Sequence, residues 1–249
     1  MVAPDDCMGC AVKAVTLTRG ASTVFQGLDI DLRQPRIGLI GHNGAGKTSL
    51  LRLLCGLETP NVGQVLVKGQ DIYAQKPTMP RARLVGMMFQ NPEDQIIFPT
   101  VEEELALSLQ TLSSLDRKAA RQSSHAFLAT YGLEHWASRA IGSLSQGQRQ
   151  WVCWLAMLLA QPQVLLLDEP FASLDLPGQI ALAHAIDTCA QQVIVSTHAL
   201  DHVRGFERVI WLEAGRIRAD GPGSEVCHAY EAAVRAQAPA WGLSSPRSA

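Results

Sequence analysis

The sequence predicts an α/β fold in which buried strands alternate with helices and a mainly helical segment interrupts the strand-rich part of the chain. Short apolar runs at residues 36–40 and 164–167 are typical of buried strands. A glycine-rich turn follows the first run and leads into a helical pattern. Residues 91–160 have a helical pattern, and strand-like runs return after them.

The first ninety residues are predicted to be mainly strand. Residues 12–18 and 28–32 alternate apolar and polar side chains, which indicates strands, and a turn at Arg19-Gly20 follows the first. A helix is predicted over residues 48–57 and is closed by Gly56. Further strand is predicted at residues 63–67, 72 and 83–89.

The remaining elements follow in order. Helices are predicted at residues 101–110, 116–130, 135–136 and 146–159, and a further helix at 176–191. Strands are predicted at residues 164–167, 193–196, 208–212 and 216–219. We therefore predict one domain over residues 1–249, with a core at 1–90 and 161–235, a helical insertion at 91–160 and a disordered tail at 236–249.

Composition limits the classes of function. The chain has 249 residues, is 47% hydrophobic and carries a formal net charge of −2, so nucleic acid is not an expected partner. Residues 1–6 lack the features of a signal peptide, and Gln161, Pro162 and Gln163 interrupt the most apolar stretch. We expect a cytoplasmic chain that reaches a membrane only through a partner. Cys7 and Cys10 have the spacing of half a zinc site, but no second pair follows them.

Residues 41–48 fit the phosphate-binding pattern G-x-x-x-x-G-K-[ST] in full. Glycines allow the backbone N–H groups to surround phosphates, and the following helix directs its positive end at them. Lys47 would lie near the β- and γ-phosphates, and the Thr48 hydroxyl would bind Mg²⁺. The residues of this P-loop are Gly41, His42, Asn43, Gly44, Ala45, Gly46, Lys47 and Thr48.

Two carboxylates follow the apolar run at residues 164–167. A buried strand brings the residues at its carboxyl end to the edge of the sheet where the P-loop lies. Asp168 is therefore predicted to hold Mg²⁺, and Glu169 to accept a proton from the attacking water. A solvated acidic turn would not explain the apolar residues that precede the acids.

Four further elements resemble the motifs of ABC ATPases. Residues 144–148, Leu-Ser-Gln-Gly-Gln, are similar to the family signature Leu-Ser-Gly-Gly-Gln. Gln90 resembles the Q-loop glutamine, residues 173–175 the D-loop, and His198 the switch histidine. The resemblance implies a P-loop NTPase (RecA-like) core, an antiparallel β subdomain and an inserted α-helical subdomain. It also implies Mg-ATP hydrolysis.

The resemblance assigns roles to these residues in a head-to-tail dimer. The signature residues Ser145, Gly147 and Gln148 would face the γ-phosphate bound by the other subunit, and Asp175 would cross the interface. Gln90 would contact Mg²⁺ and the attacking water. His198 would hold the γ-phosphate and orient Glu169. The resemblance also adds Ser49 to the nucleotide contacts.

Residues 89–98 and 100–106 resemble the ATPases of energy-coupling factor importers, which take up vitamins and metal ions. A membrane coupling subunit would dock near residues 90–98, where Ile96, Ile97 and Phe98 offer an apolar surface. The alternative for these three residues is ordinary packing under the insertion. The lead-in at residues 37–40 favours the ATPase of biotin importers, with cobalt or nickel importers as the alternative. A separate substrate-binding membrane subunit would select the cargo.

Two departures from the family pattern are clear. Gln146 replaces the first glycine of the signature, and no aromatic residue for adenine stacking lies near residues 18–20. The Arg19 guanidinium is the candidate for stacking on adenine, and Phe25 is the second candidate.

Several alternatives to a transport ATPase remain at this stage. A DNA-repair ATPase would need a long coiled-coil insertion, but Lys47 and Asp168 are 121 positions apart (168 − 47). A translation ATPase would carry two such domains. A small-molecule kinase would lack the signature. An inactive subunit of a heterodimer is the remaining class, and a homodimer is favoured over a heterodimer.

Overall fold

The computed structural model describes residues 9–75, 78–113 and 115–237. The strands in this part of the chain are β1 (Cys10–Arg19), β2 (Ser22–Leu32), β3 (Arg36–Ile40), β4 (Val62–Val67), β5 (Gln70–Asp71), β6 (Val85–Met88), β7 (Val164–Asp168), β8 (Gln192–Ser196), β9 (Arg208–Glu213) and β10 (Arg216–Gly221). The α-helices are α1 (Lys47–Leu54), α2 (Arg81–Leu84), α3 (Val101–Ser113), α4 (Arg117–Thr130), α5 (Gln146–Leu159), α6 (Leu176–Thr188) and α7 (Gly223–Gln237).

The strands form two sheets. A four-stranded antiparallel sheet has the order β2-β1-β4-β5, and a six-stranded sheet has the order β10-β9-β3-β8-β7-β6. In the larger sheet β9, β3, β8, β7 and β6 pair in parallel, and β10 pairs with β9 in antiparallel orientation. Parallel strands bring their carboxyl ends to one edge, which positions the residues that follow β3, β7 and β8 close together.

The central strands of the six-stranded sheet, β3, β8 and β7, are buried on both faces. Leu165 and Leu167 of β7 pack in a core cluster with α5, α6 and α7. The alternate residues Val164 and Leu166 pack with α1 and the antiparallel sheet in a second cluster. Every residue of β7 is buried, which explains why the strand is an uninterrupted apolar run. The α/β fold predicted from the sequence is confirmed.

Side-chain caps define where three of the helices begin. Asp116, Ser145 and Asp175 each accept a hydrogen bond from the third backbone N–H after them, at the starts of α4, α5 and α6 respectively. Such caps satisfy N–H groups that have no partner inside the helix. The described chain between β6 and β7 contains helices α3 to α5 and short 3₁₀ turns, in the region of the predicted insertion.

The structure differs from the sequence-based prediction at a few places. Arg83 and Leu84 belong to α2 and not to the strand predicted at residues 83–89. α7 had no counterpart in the prediction, and it continues to Gln237, so residues 236–237 are helical and not part of a tail. The rest of the predicted tail lies outside the described residues, as does Cys7. No helix of the described residues is both long and apolar enough to span a membrane.

Candidate functional site

The P-loop connects the end of β3 to the start of α1. Gly41 has a φ of 143°, and a Cβ there would lie 2.1 Å from the carbonyl oxygen of Leu212. Gly46 has a φ of 107°, and a Cβ there would lie 2.8 Å from the ring of Phe25. Both positions therefore require glycine, for backbone conformation and for space. Phe25 is itself buried in the core, so it is removed as the second candidate for adenine stacking.

Lys47 lies inside the loop. Its Nζ donates hydrogen bonds to the carbonyl oxygens of Gly41, at 2.7 Å, and His42, at 3.3 Å. Burial lowers the pKa of Lys47, whereas the negative charges of Glu169 and Asp168 act in the opposite direction. The ammonium group is thus held among backbone carbonyls at the mouth of the loop, where a phosphate would provide a stronger partner.

Asp168 ends β7 beside the P-loop. It is 4% exposed, and its register partner on β8 is Ser196. Burial raises the pKa of the Asp168 carboxyl, while the neighbouring side chains of Thr48 and Ser196 and the charge of Lys47 oppose that shift. The three predicted Mg²⁺ ligands, Thr48, Gln90 and Asp168, line the same cleft.

Glu169 and His198 are bonded to each other. The Nδ1 atom of His198 lies 2.8 Å from Glu169 Oε2, and the backbone N–H of His198 donates to the same oxygen at 3.2 Å. The backbone N–H of Glu169 donates to the Ser196 carbonyl at 2.8 Å. Glu169 has a φ of 48°, in the left-handed region that is uncommon for residues other than glycine. These contacts hold the carboxylate in one orientation, with the exposed imidazole beside it.

One open cleft of about 580 Å³ collects most of the predicted site. All P-loop residues, Ser49 and Arg19 line it, together with Gln90, Asp168, Glu169 and His198. Two further lining residues, Val24 and Tyr230, were not found from the sequence. Tyr230 lies on α7 and its ring contacts those of His42 and Trp211 at centroid distances of 5.5 and 5.2 Å. Its position depends on long-range packing, for which the sequence carries no motif.

Arg19 lies at the edge of this cleft. Its guanidinium forms a bidentate ion pair with the carboxylate of Glu58, and the Arg19 side chain is 48% exposed. This bond raises the pKa of Arg19. The pair fixes the plane of the guanidinium, which is the property that stacking on a base requires.

The signature residues lie outside the lining of this cleft. Ser145 and Gln148 form a capping box: the Ser145 hydroxyl accepts from the Gln148 N–H at 3.2 Å, and the Ser145 N–H donates to Gln148 Oε1 at 3.1 Å. A Cβ at Gly147 would lie 3.4 Å from the Ser173 carbonyl oxygen, so the signature packs against the D-loop. Asp175 caps α6 through the N–H of Gly178 at 3.1 Å.

The segment after Gln90 is held by two acidic residues. Glu93 pairs with Arg149 of α5 at 2.7 Å. Glu104 is buried and accepts from the backbone N–H groups of Ile97, at 2.9 Å, and Phe98, at 2.8 Å. Ile97 is 75% exposed, whereas Ile96 is partly buried against the core, so ordinary packing accounts for Ile96.

Comparisons with known proteins agree with this geometry. Residues 25–172 match the family described as ABC transporter. The biotin transport ATP-binding protein BioM of Rhodobacter capsulatus is 45% identical over 224 residues, which cover 90% of this chain and 94% of that protein. The energy-coupling factor transporter ATP-binding protein EcfA of Methanoculleus marisnigri is 35% identical over 214 residues, which cover 84% and 76% of the two chains.

A solved structure shares the fold. CbiO1 from Clostridium perfringens, described as part of the ABC transporter complex cbiONQ, has a TM-score of 0.76 and 24% identity, and the match covers 93% of this chain and 95% of that one. The structural similarity shows the fold, and the family match and the two relatives show similarity of sequence as well. The chain therefore belongs to the ABC transporter family and is an ATP-hydrolysing subunit of the energy-coupling factor type.

Proposed function

We propose that this chain powers biotin uptake by hydrolysing Mg-ATP within a head-to-tail dimer that is attached to a membrane coupling subunit. The observation that carries the ATPase site is the cleft that combines the P-loop, Asp168, Glu169 and His198. The similarity to a biotin transport ATP-binding protein over 90% of the chain supports the cargo. The proposal places the chain at the cytoplasmic face of the membrane.

The residues of the cleft fit Mg²⁺ bound together with ATP. Magnesium binds oxygen ligands and usually uses one or two carboxylates with substrate phosphates. The Asp168 carboxylate and the Thr48 hydroxyl line the same cleft. Burial raises the Asp168 pKa, so a cation would offset the loss of water around this carboxylate. Gln90 lines the same cleft and is the proposed third protein contact. When bound, the ion would neutralise charge on the phosphates.

The side chains of the chain divide the catalytic work. Lys47 and the P-loop N–H groups bind the phosphates and replace the water around them. Glu169 accepts the proton of the attacking water. His198 bonds Glu169 Oε2, so it keeps the carboxylate in position and stands beside the site of the γ-phosphate.

The second half of the site would come from another subunit. Ser145 and Gly147 stand at the start of α5, which directs its positive end outwards, and Ser145 is exposed. A helix start of this kind suits the γ-phosphate bound in a partner's P-loop. Asp175, which caps α6, would lie at the same interface. ATP would then link the two halves, and hydrolysis would release them.

The membrane contact is proposed at residues 90–98. Ile97 is the exposed apolar residue of this segment, and Gln90 at its start lines the cleft. A partner that binds here would contact a segment whose first residue reaches the ATP site. We expect Ile97→Asp to leave ATP binding intact and to reduce co-purification with the membrane subunit by at least tenfold, because a buried charge disfavours an apolar contact.

The matched control for Ile97 is Leu57→Asp, which changes a leucine that is 60% exposed and follows α1. This variant should co-purify like the unaltered chain. Equal co-purification of both variants would contradict the docking assignment.

Uptake of radiolabelled biotin by cells that express the complete transporter tests the cargo. Uptake should require this chain and should disappear in Lys47→Ala. Uptake of cobalt or nickel ions without biotin uptake would replace the proposed cargo by a metal ion and would leave the ATPase assignment intact.

A further inference from the structure

A stacked pair of rings joins the two loops that carry Glu169 and His198. The rings of Phe171 and His202 have centroids 3.7 Å apart and planes inclined by 14°. Phe171 lies two residues after Glu169, and His202 lies four residues after His198. The pair therefore bridges the turn of the general base and the turn of the switch histidine.

Phe171 is the fixed member of the pair. It is 3% exposed and belongs to the core cluster that includes α5. The turn around it is closed by the Ala172 N–H, which donates to the Glu169 carbonyl at 3.2 Å, and by buried Gln150 of α5, whose amide donates to the Pro170 carbonyl at 3.4 Å. Phe171 thus offers a rigid aromatic surface beside the general base.

His202 lies in the loop that carries His198. The side chain of His198 is 68% exposed, so little packing holds it directly. His202 ends the 3₁₀ turn Leu200–His202, and Val203, which follows it, is fully buried. Burial lowers the pKa of His202, which favours the neutral ring near pH 7, against the opposing charge of Asp201. The neutral imidazole stacks on Phe171 as an ordinary aromatic ring.

We propose that His202 is a positioning residue for ATP hydrolysis: its stack on Phe171 keeps the His198 loop at the distance at which His198 bonds Glu169. His202 is not among the lining residues of the cleft, so it acts through the two loops and not on ATP. Loss of the stack should let the His198–Glu169 contact open for part of the time. The hydrolytic step should then slow, while ATP binding on the P-loop stays the same.

Three substitutions at residue 202 test this inference by steady-state ATP hydrolysis of the full chain in its transporter complex. His202→Phe keeps a flat ring, His202→Leu keeps apolar volume without a ring, and His202→Ala removes both. We expect kcat to fall about three- to tenfold for Leu and Ala, as for loss of one aromatic pair. The Phe variant should keep kcat within twofold, and KM for ATP should change less than twofold in all three.

His228→Ala provides the matched control, because His228 is an exposed histidine on α7. Thermal unfolding identifies any variant that fails to fold, and the Phe and Leu variants alone then decide. Unchanged kcat in the Leu variant would overturn the inference. An equal loss in Phe and Leu would also overturn it, since stacking would not be the relevant property. A raised KM with unchanged kcat would assign His202 to nucleotide binding instead.

Discussion

The cleft and the signature region are built differently, although both are assigned to the same ATP site. In the cleft, Lys47, Asp168 and Glu169 are buried; Lys47 bonds P-loop carbonyls, and Glu169 bonds His198 and the Ser196 carbonyl of β8. In the signature region, Ser145 and Gln148 bond each other within one helix start, and Ser145 is exposed. One half-site is thus stabilised by the core of the chain, and the other is a preformed surface that local capping holds in shape.

Because of this difference, substitutions in the two half-sites should have different effects. A change in the cleft alters groups that several elements hold in place, so it should affect chemistry within one subunit. A change in the signature should remove a local cap and a contact to a neighbouring subunit. The predictions below separate these two effects.

The largest effect is expected for Glu169→Gln. Without the carboxylate, no base at this position takes the proton from water, and kcat should fall about 10²- to 10⁴-fold. Binding of ATP should remain, and size-exclusion chromatography should show an ATP-dependent dimer. Glu207→Gln, the same change at an exposed glutamate outside the cleft lining, serves as the control. Hydrolysis at the normal rate would remove Glu169 from the role of base.

Ser145→Ala should have the next largest effect. Removal of the cap destabilises α5 by about 0.5–2 kcal/mol. Hydrolysis should fall at least tenfold if the hydroxyl also contacts a neighbour's γ-phosphate. Asp116→Ala removes the equivalent cap of α4, whose carboxylate accepts from the Ala119 N–H at 2.8 Å. Asp116→Ala should lower the free energy of unfolding about as much as Ser145→Ala does, and it should leave the rate of ATP hydrolysis unchanged.

A mixing experiment makes the comparison between the half-sites sharper. A mixture of Ser145→Ala with Lys47→Ala should be more active than either variant alone at the same total concentration. A mixed dimer contains one site with an intact P-loop and an intact signature. Failure of the mixture to recover activity would indicate that the signature does not act across subunits.

The smallest effect is expected for Arg19→Ala. Arg19 is the proposed stacking partner of adenine, and a cation–π contact at an exposed site contributes about 0.5–1 kcal/mol. We expect KM for ATP to rise about two- to fivefold with kcat unchanged, as measured by initial rates. A fall in kcat with unchanged KM would contradict a role for Arg19 in binding adenine.

The sequence predicted those parts of the site that are encoded locally. The P-loop, Asp168 and Glu169 were found because glycine spacing and an apolar strand describe a turn and its neighbours directly. Tyr230 was missed because α7 packs beside β9 and β10 and brings it to His42 only in the folded chain. The stack of Phe171 and His202 was missed for the same reason. The sequence left two roles open for Phe25, a contact with adenine or core packing, and its burial in the core cluster decides for packing.

Glu104 gives the exposed segment at residues 96–98 an unusual stiffness. Its buried carboxylate binds two consecutive backbone N–H groups of that segment from within α3. The positions of Ile97 and Phe98 are therefore tied to α3 through the Glu104 side chain. If the coupling subunit docks at Ile97 as proposed, a displacement of α3 would reach it through these two hydrogen bonds, and Glu104→Ala would loosen that link.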